Sequence, residues 1–283
     1  MKYILIISSS LLISFNNIKA QSFQEINLPE QPGFVTNLKA DGLSFYNTSL
    51  NLIQSPLHFD EQDLILTGII VGATAFSLGL DNPVRDNIGK LQSNTLDKVT
   101  RYGENFGNGK YVAGVSGLIY LGGHLFQDKE LRETGLMLAE AIFLNGVVTE
   151  GLKIIAGRSR PFINEGNYKI DFFEMELEDE ENSLPSGHTS TAFAVATVLS
   201  QRIDNIYASI GLYSLAGLTA FQRMYKDKHW ISDTILGAAL GTVIGLKVVK
   251  LNTDNDNANS SINMNITPVV SSHHYGVGVL LRF

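Results

Sequence analysis

Between Asp63 and Lys250 the chain is a succession of apolar segments separated by short polar or glycine-rich breaks. Five of them, near 63–80, 110–127, 136–156, 206–223 and 231–250, run about 17–21 residues, close to the length at which a helix crosses a bilayer. A sixth, near 188–201, is shorter and ends in Gln201 and Arg202. Segments of this kind can bury their apolar surface against one another or against lipid. The chain is therefore expected to be all-α: a helical bundle of about six core helices. Residues 84–102 mix Arg85, Asp86, Lys90, Asp97, Lys98 and Arg101 with Val84, Ile88, Leu91, Leu96 and Val99, which predicts an amphipathic helix or helix pair. Gly103 to Gly109 reads as a glycine- and asparagine-rich break.

The ends differ in kind. Met1-Lys2, the apolar run Tyr3 to Phe15 and the stretch ending at Ala20 read as a signal peptide, residues 1–20, cleaved after Ala20. Residues 21–62, with Pro29, Pro32 and Pro56, predict an irregular lead-in holding one short helix. The helical domain is assigned to 63–251 and a polar linker with a short C-terminal β-hairpin to 252–283. The hairpin expectation rests on Tyr275, Val277, Val279, Leu281 and Phe283, which alternate with their neighbours at period two. A formal net charge of −7 with no basic tract argues against nucleic acid as a partner. The absence of cysteine excludes disulfides, thiol catalysis and cysteine-ligated metal.

Polar groups of chemical interest gather where the apolar segments end. Lys153 and Arg160-Pro161 close the third, spaced K-x6-R-P. Pro185-Ser186-Gly187-His188 opens the next, after a long connection over 157–187 that carries the acidic run Glu174 to Glu181. Arg223 closes the following segment, and Arg223-x5-His229-x3-Asp233 leads into the last. Antiparallel connectivity brings these ends to the same side of a bundle. The N–H groups opening the helix at Ser186 form an anion site, and three cations around it suit a phosphate. His229 and Asp233, at i and i+4, share a helix face, so the carboxylate can hold one ring nitrogen and leave the other free to attack. His188 is placed to protonate a leaving oxygen and then to activate water. No cluster of carboxylates or histidines suggests a metal, and no cofactor is expected. Each piece alone has a plainer reading: Lys153 as a helix-end cation, His188 as a cap, His229 and Asp233 as a surface pair. Arg158, Lys226 and Lys228 read as solvated charges, and His124 as a core histidine.

Taken in order, the three pieces resemble the signature of the type 2 phosphatidic acid phosphatases, whose superfamily includes bacterial non-specific acid phosphatases and vanadium haloperoxidases. The resemblance spans roughly residues 60–250. It implies a metal-independent phosphatase acting on phosphate monoesters or diphosphates, carried by lipids or small molecules. It further implies a phosphohistidine on His229, orientation of that ring by Asp233, and His188 as general acid. Lys153, Arg160, Ser186, Gly187 and Arg223 would bind phosphate. Gln222 stands where the family usually has serine; its amide can still donate to a phosphate oxygen. Two other readings are a vanadate-dependent haloperoxidase and a non-catalytic envelope-attached bundle.

The signal peptide places the chain in the bacterial cell envelope, in the periplasm and either touching or entering a membrane. Six spans after a cleaved leader would put the 157–187 connection on the cytoplasmic side, which favours a bundle that does not fully span, its apolar helices buried against each other.

Overall fold

The computed structural model describes residues 33–173, 182–259, 263–271 and 274–282, with side chains through residue 253. The expected signal peptide and the acidic run Glu174 to Glu181 lie outside the described residues. Among those residues the chain folds into α1 (Phe34–Gln54), α2 (Glu61–Leu78), α3 (Asp81–Gly89), α4 (Asn94–Gly107), α5 (Gly109–Leu125), α6 (Lys129–Ala156), α7 (Gly187–Ile203), α8 (Ile206–Tyr225) and α9 (Ile231–Asn259). Strands β1 (Asn263–Ser271) and β2 (His274–Arg282) pair antiparallel, Asn263 opposite Arg282.

The all-α body agrees with expectation, and the six apolar segments become α2 and α5 to α9. The boundaries are set by local chemistry. Asp60, Ser93, Asn108, Asp128 and Asn205 each accept a first-turn backbone N–H and so cap the helices that follow. Gly157, at φ 52, ends α6 in the left-handed conformation and donates its N–H to Lys153 O. A side chain at Gly157 would overlap the Asp171 carbonyl.

The expected helix count falls short, and two expected boundaries move. Residues 34–54, assigned to an irregular lead-in, form a helix of 21 residues. It is held by tertiary bonds: Tyr120 Oη donates to Asp41 (2.8 Å) and Ser44 Oγ to Asn252 (3.3 Å). The amphipathic stretch is two helices, α3 and α4, and α4 continues through the expected glycine break. There Gly103 and Gly107 serve close packing, for a Cβ on Gly103 would lie 2.7 Å from the Leu218 carbonyl. Finally, α9 continues to Asn259 through the first part of the expected polar linker.

α7 sits at the centre, packed against α6, α8 and α9. Its contact with α9 is unusually close. Gly237, Gly241 and Gly245 recur every fourth residue on α9 and face Ser186, Ser190 and Ala194–Thr197 of α7. A Cβ on Gly237 would lie 2.7 Å from Ser186 O, and one on Gly241 would overlap Ser190 O. Small residues at this spacing let two helix backbones touch. Met137, Leu138 and Leu144 of α6 fill the other side of α7 with Val195, Val198, Ile244 and Val248.

The reading that the apolar helices are buried against each other does not hold for α2. Only 6% of its apolar window is covered by the described residues, and Leu64, Ile65, Ile69, Val71 and Phe76 stand exposed. Exposed apolar surface on this scale calls for a covering phase. Among the described residues three helices are long and apolar enough to cross a membrane: Glu61–Leu78, Lys129–Ala156 and Ile231–Thr253.

Candidate active site

The C-terminal end of α6, the N-terminal ends of α7 and α9, and the C-terminal end of α8 meet at one side of the bundle. Lys153, in the last turn of α6, is 6% exposed, and its Nζ bonds Glu150 Oε1 at 2.8 Å. A Cβ on Gly187 would lie 4.0 Å from that ammonium, so Lys153 addresses the opening turn of α7. Ser186 caps this turn by position, its Oγ bonded to Thr189 Oγ1 at 2.9 Å. The neighbouring helix α4 comes in against His188: a Cβ on Gly107 would lie 2.6 Å from His188 O.

Arg223 and His229 are joined by a tight turn in which the N–H groups of Lys228 and His229 donate to Arg223 O at 3.0 and 3.3 Å. Arg223 Nε donates to Gln222 Oε1 (2.6 Å) and its Nη2 to Glu104 (3.3 Å). Gln222, expected to offer its amide to phosphate, thus presents its oxygen to the adjacent guanidinium and is 1% exposed. Arg160 Nη2 lies 3.5 Å from Asn182 O, in the connection that leads to Ser186.

His229 is buried, and its Nδ1 lies 2.8 Å from the Ser183 carbonyl. A carbonyl only accepts, so Nδ1 carries the proton and Nε2 the lone pair. Asp233 Oδ2 is further from the same nitrogen, at 3.5 Å. Its nearer duties are elsewhere: Oδ2 accepts the Trp230 N–H (2.8 Å), closing the first turn of α9, and Oδ1 accepts from Arg158 Nη1 (2.5 Å). Orientation of His229 therefore comes first from the Ser183 carbonyl, with Asp233 behind it.

The structure brings the predicted residues together. Burial pushes the His188 pKa down to about 3, and the nearby charges of Arg223, His229, Lys153 and Arg160 push the same way. His229 is lowered too, by burial first, then Arg160 and Arg223, against an upward pull from Asp233. Arg223 is lowered by burial and by Arg160, with Glu104 opposing. Both imidazoles are thus neutral at neutral pH inside a ring of cations. Among the described residues no group of three or more metal-binding side chains is found.

Arg158, read from sequence as a solvated charge, is wholly buried. Its Nη2 donates to Asp81 (2.6 Å) and Asn167 O (2.6 Å), its Nε to Asn167 O (3.0 Å), and its Nη1 to Ser232 Oγ (2.7 Å) as well as Asp233. Trp230 lies between Arg158 and Arg85, each guanidinium within 5.5 Å of the indole. Asp81 is separated from Arg158 by most of α3 to α6 in sequence, so no spacing rule could have paired them. Lys226 does sit at the surface, bonded to Asp97 at 2.6 Å.

Parts of the chain are similar to known proteins. Residues 134–256 match the model of the PAP2 superfamily. The chain is similar to a lipid A 1-phosphatase of Porphyromonas gingivalis, 34% identical over 97 residues, covering 34% of this chain and 21% of that protein. It is also similar to a lipid A 4′-phosphatase of the same organism, 32% identical over 66 residues, covering 23% and 28%. The chain thus matches only 21% and 28% of the length of these curated relatives. Among solved structures, LpxE of Aquifex aeolicus aligns at 26% identity over 60% of this chain and 95% of that one, with a TM-score of 0.49. The segment that matches the PAP2 superfamily model, residues 134–256, holds all three motifs from Lys153 to Asp233.

Proposed function

We propose that the chain is a phosphatase that hydrolyses the phosphate monoester or diphosphate of a lipid at a membrane surface in the cell envelope, through a phosphohistidine on His229. The observation that carries this reading is the tautomer of His229: its Nδ1–H is engaged by Ser183 O at 2.8 Å, leaving a neutral, lone-pair-bearing Nε2 among three cations. The helical domain assigned to 63–251 would be the catalytic unit.

In this mechanism the phosphate sits in front of the α7 N-terminus, its oxygens shared among Lys153, Arg160, Arg223 and the N–H groups of Ser186 and Gly187. Nε2 of His229 forms a bond to phosphorus as the bond to the leaving oxygen breaks, and His188 gives its proton to that oxygen. Water then attacks phosphorus, His188 takes the water's proton, and the P–N bond breaks to release inorganic phosphate. His188 starts neutral, so the proton it donates enters with the substrate: its pKa is held down first by burial and then by the neighbouring cations, and the phosphate anion offsets the cationic part. A lipid substrate is supported by the exposed apolar surface of α2 and by the similarity to the Porphyromonas lipid A phosphatases.

The test is phosphate release from p-nitrophenyl phosphate and from a panel of lipid phosphates in detergent, with and without chelator. His229→Ala is expected to lower turnover by about a thousand-fold or more, as loss of a nucleophile does, with the helical circular dichroism unchanged. Full turnover in that variant would remove His229 as nucleophile, and loss of wild-type activity on chelation would contradict the metal-free mechanism.

A further inference from the structure

We infer that Arg158, clamped by Asp81, is a positioning residue that fixes His229 from two sides. The inference rests on the phosphohistidine reading above and adds residues that lie outside its three motifs.

One side is the main chain. Arg158 O accepts the N–H of Ser183 at 2.7 Å, and Ser183 O in turn accepts Nδ1–H of His229 at 2.8 Å. The adjoining Ser159 carbonyl accepts the Trp230 indole N–H (3.0 Å), so the residue after His229 is pinned to the same strand-like segment. The other side is the side chain. Arg158 Nη1 holds Asp233 Oδ1 at 2.5 Å while Oδ2 faces Nδ1 of His229 at 3.5 Å. The plane of the Asp233 carboxylate, and hence the field it applies to the ring, is therefore set by the guanidinium.

Asp81 makes this arrangement rigid. It takes Arg158 Nη2 at 2.6 Å and accepts both the N–H (3.0 Å) and the hydroxyl (2.9 Å) of Ser232, the residue beside Asp233. Asp81, Arg158, Ser232 and Asp233 are each 1% exposed or less. Five guanidinium contacts reach four different groups, which a lysine ammonium cannot reproduce. Asp81 opens α3, so this short helix acquires a role: it supplies a second carboxylate behind the nucleophile.

The group that reads out the arrangement is His229, faced by Asp233 from α9, His188 from α7, Arg223 from α8, and Arg160 and Ser183 from the connection. Removing the Asp81 charge leaves Arg158 less neutralised and His229 harder to protonate. The experiment is steady-state kinetics on p-nitrophenyl phosphate across pH for wild type, Asp81→Asn, Arg158→Lys and His229→Ala, with melting temperature measured for each. The expected result is a fall of ten-fold or more in kcat for Asp81→Asn and Arg158→Lys with KM changed less than three-fold. The acid limb of kcat/KM should also move to lower pH in Asp81→Asn. Unchanged kcat and pH profile in both variants, with only the melting temperature lowered, would overturn the inference and leave the cluster a stability device. Where wild type itself has no activity above His229→Ala, the phosphatase reading fails instead. Asp81→Asn keeps side-chain size and Arg158→Lys keeps the charge, so the comparison does not depend on an Arg158→Ala protein folding.

Discussion

The backbone N–H of Ser186 donates to the carbonyl oxygen of Asp233 across 3.0 Å, tying the first turn of α7 to the first turn of α9. The proposed acid, His188, follows Ser186 by two residues, and the proposed nucleophile, His229, precedes Asp233 by four. The spacing between the two imidazoles is therefore relayed through backbone. The glycines at 237, 241 and 245 extend the same contact down the helix pair.

Gly241→Ala should separate what that bond joins. Its Cβ would collide with the Ser190 carbonyl, a main-chain atom that cannot turn aside. Overpacking of this kind costs about 1–3 kcal/mol. The expected outcome is a melting temperature lowered by several degrees and a kcat loss larger than at any other glycine variant of the same stability. Gly146→Ala is the control: its Cβ would meet nothing within 4 Å, and the change should stabilise α6 slightly.

Stability should depend on pH through the histidines. His188 has its pKa lowered to about 3 from 6.5, so the unfolded chain takes up its proton before the folded one. Its contribution is whole above about pH 6.5, declines as pH falls through that window, and is exhausted below about 3. His229, also lowered, acts in the same direction. Melting temperature measured from pH 7 down to 4 should fall steadily, with a shallower slope in His188→Asn. Orthophosphate should flatten the slope in part, because the anion offsets the cationic share of a shift that burial dominates.

Gln222→Ala should weaken anion binding more than chemistry. Its oxygen holds Arg223 Nε at 2.6 Å, and truncation frees that guanidinium to swing towards Glu104. A neutral-to-charged hydrogen bond contributes about 1.5–3 kcal/mol, so the Ki for inorganic phosphate should rise about ten-fold or more with kcat changed less. Product-inhibition assays measure both.

Glu150→Gln and Glu104→Gln should act oppositely. Glu150 and Glu104 are half-exposed carboxylates on Lys153 and Arg223, and they compete with an incoming phosphate for those cations. Exposed pairs are worth about 0.2–1 kcal/mol. Each variant should therefore bind orthophosphate up to about five-fold more tightly, with the effect shrinking as salt rises.

The six apolar segments were legible because polar or glycine-rich breaks bound each of them. The three motifs were legible because they occupy those ends. α1 was not: Thr36, Asn37, Asn47 and Ser49 interrupt its apolar residues, and its helix depends on partners such as Tyr120 and Asn252 that lie far along the chain. Gly103 and Gly107 were misread because a glycine that admits a neighbouring backbone looks, in sequence, like one that breaks a helix. Arg158 was misjudged for a related reason. Beside Arg160 it reads as one more surface cation, and only folding delivers Asp81 to it. The bilayer question turned on α2, whose composition suits either a core or lipid; the position it takes in the fold leaves its apolar face uncovered.

The glycine seam between α7 and α9 has one more consequence. Where side chains space two helices, a Leu exchanged for a Met shifts them slightly. At Gly237, Gly241 and Gly245 no such adjustable spacer exists. The distance between the proposed nucleophile and the proposed acid is thereby set by backbone against backbone, so exchanges of side chains in the surrounding helices need not retune it.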